Sequence, residues 1–187
     1  LTFLLSFVQM KADEGMWLMM LIKRLNGVDM QRQGLKLTPE EIYSVNNSSL
    51  KDAIVSFGGY CTGEIVSDQG LIFTNHHCGY ENIAAASTPE QDYLKNGFWA
   101  ESREQELPNP GLTITILVRM EDVTSRVLEN VRDNMTQQER NEAIREATRR
   151  IVAQAREGGR YEAQVSPFYY GNEFFLFVNQ VFRDVRL

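Results

Sequence analysis

The 187-residue chain has two cysteines and two histidines, and three of these four residues form one run, His76-His77-Cys78. The fourth, Cys61, lies 17 positions before Cys78. Between the cysteines, Thr62 to Val66 and Leu71 to Thr74 read as the arms of a hairpin, with Ser67-Asp68-Gln69-Gly70 as its turn. No other signal constrains the fold as tightly, because the hairpin sets both histidines at the rim of a small β-structure.

A chain of this length with 43% hydrophobic residues can bury the core of one domain with an appendage. The net charge of −6 and the absence of a Lys/Arg-rich run argue against nucleic acid or an anionic membrane as the main partner. Leu1 to Val8 is almost wholly apolar and the polar run Gln9 to Glu14 follows it. The apolar run is too short for a membrane span. It fits the end of a signal-peptide apolar region, cleaved near Ala12, with residues 1–12 as its remnant; a buried N-terminal strand is the other reading. Export would place Cys61 and Cys78 in an oxidising compartment, where the two can pair.

Met16 to Gly34 mixes apolar and polar residues at helical spacing, broken at Asn26-Gly27. Thr38-Pro39-Glu40-Glu41 predicts a capped helix start, and Ser49-Leu50-Lys51-Asp52 repeats the signature more weakly. The alanines Ala84 to Ala86 suggest a helical turn, and Thr88-Pro89-Glu90-Gln91 predicts a cap for a helix running toward Trp99. Leu112 to Met120 alternates with period two and is the clearest strand. From Thr124 to Glu157 an Arg/Glu-rich segment carries a narrow apolar stripe, and Asn134 with a Thr136-to-Glu139 capping box divides it into two helices. Tyr161 to Tyr170 and Phe174 to Val185 predict a last hairpin around Gly171-Asn172.

Three chemistries compete for the histidine cluster. A zinc site needs ligand pairs, and no second Cys/His pair exists; successive strand residues also point to opposite faces. A Cys–His thiol dyad needs free thiols, which an exported chain does not keep. In nucleophilic acyl transfer a histidine serves as base, since imidazole takes up and returns a proton near neutral pH. It would need a hydroxyl nucleophile on one nitrogen and a carboxylate on the other. From spacing alone, an ordinary disulfide hairpin with two exposed histidines explains the pattern equally well.

Gly58-Gly59-Tyr60-Cys61-Thr62-Gly63-Glu64-Ile65-Val66-Ser67, followed by Gly70-Leu71-Ile72-Phe73-Thr74-Asn75-His76-His77-Cys78-Gly79-Tyr80, closely resembles the bacterial dipeptidyl-peptidase 7 and dipeptidyl-peptidase 11 family of serine peptidases. The similarity extends through Asp13 to Trp17, Leu37 to Tyr43, Ser49 to Ile54, Asn172 to Phe174 and Val181 to Leu187. The resemblance implies a chymotrypsin-like double β-barrel with an added helical domain, located in the periplasm or at the cell surface and homodimeric at full length. Its substrates would be peptides with free N-termini, from which it would remove dipeptides. Matching Thr-Asn-His-His-Cys to the Thr-Ala-Ala-His-Cys pattern of chymotrypsin relatives makes His77 the catalytic base, turns His76 away, and carries over a Cys61–Cys78 disulfide.

The expectation is therefore a mainly β fold with helical additions: a partial first barrel of a chymotrypsin-like double β-barrel plus a helical hairpin. Residues 13–187 would be the N-terminal part of a peptidase catalytic domain, with the helical insertion at about 124–157. The triad Ser and Asp would lie beyond Leu187, leaving the 187 residues inactive alone. Asp184 reads as a strand-end salt-bridge partner, and Ser44, Ser48 and Ser49 as turn and capping residues. No metal and no cofactor are expected. The competing class is a secreted, non-enzymatic β-domain that binds through a disulfide-stabilised hairpin.

Overall fold

The computed structural model describes residues 17–25 and 27–187. The apolar leader predicted at 1–12 lies outside them. Six strands form one antiparallel sheet: β1 Ile54–Phe57, β2 Cys61–Ile65, β3 Ile72–Thr74, β4 Ile114–Asp122, β5 Glu162–Phe168 and β6 Glu173–Phe182. Their order is β3-β2-β1-β4-β6-β5, so β3 and β5 are the two edges. Around the sheet lie α1 Ile22–Leu25, α2 Gly27–Arg32, α3 Pro39–Ile42, α4 His76–Ala86, α5 Tyr93–Asn96, α6 Thr124–Leu128 and α7 Gln137–Ala155. The sheet organises the molecule and the helices are additions to it, as the sequence led us to expect. None of the described helices is long and apolar enough to cross a membrane.

Two apolar clusters stabilise the sheet. One lies under the helical hairpin, where Ile151 and Ala155 of α7 and Val127 of α6 meet Val123 and the alternate β6 residues Phe174, Leu176 and Val178. Ala147 of α7 is buried on the same flank, and Ile144 packs partly against the cluster. These α7 positions recur at three- and four-residue intervals, which makes one narrow stripe on a helix otherwise covered by ion pairs such as Arg150–Glu146. Full burial of each large aliphatic side chain contributes about 1.5–3 kcal/mol. The other cluster lies under the histidine-bearing flank and comprises Val55, Phe57, Cys78, Leu112 and Ile114.

The two flanks are strung along β4. On one side β4 pairs with β6 along its length, with a bulge between Leu117 and Arg119. On the other it pairs with β1 only through Ile114, Thr115 and Ile116. Side chains continue that side where β1 stops. The Tyr43 hydroxyl accepts from Met120 N–H at 2.8 Å, and the buried Lys51 ammonium donates to Leu117 O at 3.4 Å and pairs with Asp52. Burial raises the Tyr43 phenol above its ordinary range, and the nearby Glu121 carboxylate pushes the same way.

Local signals hold at several elements. Thr38 and Thr136 each form a reciprocal capping box, with Glu41 and Glu139 respectively. Ser49 N–H donates to Asp52 at 2.9 Å, although the helix there is a single 3-10 turn, Leu50–Asp52. Other expectations need correction. The helix placed after Thr88 is only α5, because Thr88 closes a turn with Gln91 N–H and Asp92 supplies the cap, accepting from Lys95 N–H at 3.0 Å. The final hairpin does not turn on Gly171-Asn172 alone. Tyr169 and Tyr170 take positive φ (48° and 59°) before Gly171, so the turn occupies 169–172. β6 ends at Phe182, after which Val185 and Leu187 pair with Asn109 and Leu107.

Candidate active site

The path to the histidines begins at the β2–β3 turn. There the Ser67 hydroxyl accepts from Gln69 and Leu71 N–H at 3.2 and 3.0 Å, and β3 then returns beside β2 with Thr74 opposite Gly63. Gly63 permits this register. A Cβ on it would stand 2.9 Å from Phe73 O and 3.0 Å from Ile72 Cγ2. The Thr74 hydroxyl donates to Thr62 O at 2.7 Å and ties down the last residue of β3.

At Asn75 the chain turns directly into α4. Asn75 is the extended N-cap residue, its carbonyl accepts from Cys78 N–H at 2.9 Å, and His76 and His77 are the first two helical residues. The run His76-His77-Cys78 is therefore helical and not the strand the sequence suggested, and the helix expected near Ala84 starts eight residues earlier. On a helix successive residues diverge by about 100° and not by the half-turn of a strand. The two exposed rings accordingly meet different neighbours. His76 packs edge-on against Tyr80 one turn later, with centroids 5.8 Å apart. A nitrogen of His77 lies within 4.8 Å of both cysteine sulfurs.

Those sulfurs are bonded to each other. Cys61 at the start of β2 and Cys78 in the first turn of α4 form a disulfide, with Cα atoms 6.0 Å apart. Cys78 is buried and belongs to the apolar cluster with Phe57 and Ile114. The cystine has two chemical consequences. No free cysteine remains, so a thiol dyad is ruled out. The Cys61–His77–Cys78 grouping also does not fit a metal, since zinc takes thiolate sulfur and these sulfurs are already bonded together.

The other candidates stay apart from the histidines. Ser49 accepts from Ser44 N–H at 3.0 Å and Ser44 from Asn47 N–H at 3.1 Å, so both work within the turn before β1, where the exposed Ser48 also lies. Asp184 pairs with Arg186 at 2.9 Å, and that hydrogen bond holds its carboxyl below the usual range. Among the described residues neither imidazole is hydrogen-bonded to a carboxylate or a hydroxyl. One group that the sequence did not single out stands at the site: the Tyr60 hydroxyl donates to Cys78 O at 3.0 Å. Its only signal in the sequence was its place beside Cys61, after Gly58-Gly59.

Three comparisons with known proteins bear on this arrangement. The family model described as Peptidase S46 matches residues 12–187. The chain is 53% identical over 184 residues to a dipeptidyl-peptidase 7 of Capnocytophaga gingivalis, covering 98% of this chain and 26% of that protein. It is 43% identical over 185 residues to an Asp/Glu-specific dipeptidyl-peptidase of Flavobacterium psychrophilum, with the same coverage. The crystal structure of Porphyromonas endodontalis DPP11 in complex with the dipeptide Arg-Asp superposes with a TM-score of 0.80 at 41% identity, over 94% of this chain and 26% of that one. The chain thus spans about a quarter of the length of the curated relatives it matches.

Proposed function

We propose that this chain, which belongs to the peptidase S46 family, is the N-terminal part of an exported bacterial serine exopeptidase that releases dipeptides from the free N-termini of peptides. Residues 13–187 form part of its catalytic domain, with the helical insertion at about 124–157. The nucleophilic serine and the triad aspartate belong to the portion that relatives carry beyond the matched quarter, and the whole enzyme is a homodimer of the periplasm or cell surface.

One observation carries the assignment of His77. It is exposed on the first turn of a helix whose next residue is covalently fixed to the sheet. A general base must be open to a nucleophile yet held still, and an exposed ring beside a cystine whose Cys78 half is buried meets both conditions. In the reaction, His77 takes the serine hydroxyl proton as oxygen attacks the scissile carbonyl, then returns it to the leaving amine. Backbone N–H donors near the serine stabilise the tetrahedral oxyanion, worth roughly 3–4 kcal/mol per donor. His76, turned onto Tyr80, supports the helix start.

The test is a pair of variants in the full-length enzyme, assayed on dipeptide reporters. His77→Ala should abolish turnover with an unchanged circular dichroism spectrum, while His76→Ala keeps most of it. The reverse result would move the base to His76, and serine-inhibitor-sensitive turnover by the 187-residue chain alone would overturn the proposed division of the triad.

A further inference from the structure

We infer that Tyr60 is a positioning residue for His77: together with the cystine it holds the first turn of α4 against the β1–β2 turn at two points. The inference rests on the reading of His77 as the base. The Tyr60 hydroxyl donates to the Cys78 carbonyl at 3.0 Å. Its ring meets Phe57 edge-on, with centroids 6.3 Å apart and planes at 89°. It also lies across Gly58, where a Cβ would come within 2.3 Å of Tyr60 Cε1 and where φ is +63°. The β1–β2 turn is thus shaped to let this ring lie flat. Tyr60 is 64% exposed, too open to act as a core residue, so its contribution lies in directed contacts.

α4 gains from such contacts because little of it is buried. Of its 11 residues only Cys78 is buried. A lone disulfide tethers a side chain and still leaves rotation about the bonds on either side of it. Tyr60 and Cys61, adjacent in the chain, grip the same residue differently: Cys61 by the sulfur, Tyr60 by the backbone carbonyl. Tyr60 holds the Cys78–Gly79 peptide through Cys78 O, and the His77–Cys78 peptide is held by Cys78 N–H donating to Asn75 O at 2.9 Å. With both units and the side chain of Cys78 held, the helical turn that carries His77 is fixed, and the imidazole takes its direction from that turn. Misplacing a reacting group by about 1 Å can lower a rate on the order of a hundredfold, so a second anchor has a kinetic consequence.

Tyr60→Phe removes the hydroxyl and keeps the ring on Gly58. In the full-length enzyme, with the disulfide verified by mass, amide exchange in residues 80–86 should quicken about three- to tenfold, the worth of one neutral hydrogen bond. Exchange in β4 and β6 should stay the same. In the full-length enzyme kcat should fall by a similar factor with KM unchanged. Unchanged exchange in α4, exchange raised equally throughout the sheet, or an unaltered kcat would each overturn the role of Tyr60. Turnover that survives His77→Ala would remove the base assignment and the positioning role with it. Unchanged exchange with His77 still essential would remove the role of Tyr60 alone.

Discussion

Reduction of the Cys61–Cys78 bond should destabilise one flank of the molecule and spare the other. The bond closes a loop with a sequence separation of 17. On the chain-entropy account, opening a loop of that size gives the unfolded chain about 3 kcal/mol of extra freedom. For a domain of this length the melting temperature should fall by roughly 6–12 °C. The damage should be local, because Cys78 is the sole buried residue of α4 and its neighbours Val55, Phe57, Leu112 and Ile114 form the cluster under the histidines. Phe174, Leu176 and Val178 pack under α6 and α7 in a different cluster. Urea unfolding of oxidised and reduced protein, followed by circular dichroism, measures the total, and amide exchange maps its location. Equal midpoints would refute the entropic estimate. Exchange that quickens as much in β5 and β6 as in α4 would refute the separation into flanks.

Three further substitutions probe the strand beside the site and the cap of α7 on the other flank. Gly63→Ala should cost about 1–3 kcal/mol by overpacking, because the added methyl meets the Phe73 carbonyl, a backbone atom that cannot rotate aside; an unchanged urea midpoint would contradict it. Thr136→Ala should cost about 1 kcal/mol through loss of the cap on α7, read in the same assay. The Glu139 carboxyl of that cap is held below its ordinary value, first by Thr136 N–H and then by the Thr136 hydroxyl. Its stabilising effect is complete above the unfolded Glu pKa of about 4.3 and is lost as the pH falls through the lowered folded value. The stability gap between the native protein and Glu139→Gln should therefore close in acid, and a gap that stays constant from neutral pH down into the acid-unfolding range would exclude the cap as its source.

Where the determinants are local, the sequence and the structure agree. The capping boxes at Thr38 and Thr136 depend on residues three apart, and both form. The β-branched run Leu112 to Met120 coincides with β4 from Ile114 onward, and the serine-led turn at Ser67 joins β2 to β3. The start of α4 was not legible, since His-His-Cys-Gly are poor helix formers and follow a β-rich strand. Asn75 stands at the N-cap position without a side-chain cap, and the first turn is held by the cystine, a contact made across the fold. The importance of Gly63 depends on β3 lying beside it, and that of Tyr60 on α4 returning over the β1–β2 turn. Likewise, pairing the distant strands β1 and β4 is a tertiary choice that leaves no mark on either segment alone.

The narrow β1–β4 junction divides the chain into a scaffold and a tool. The Glu/Arg ion pairs along α7 belong to the side of β5 and β6, whereas the bend at 58–60 reaches the first turn of α4 through Tyr60 and Cys78. A designer who wished to graft the histidine-bearing piece onto another sheet would cut at Val55–Phe57 against Ile114–Ile116, where three residue pairs link the strands.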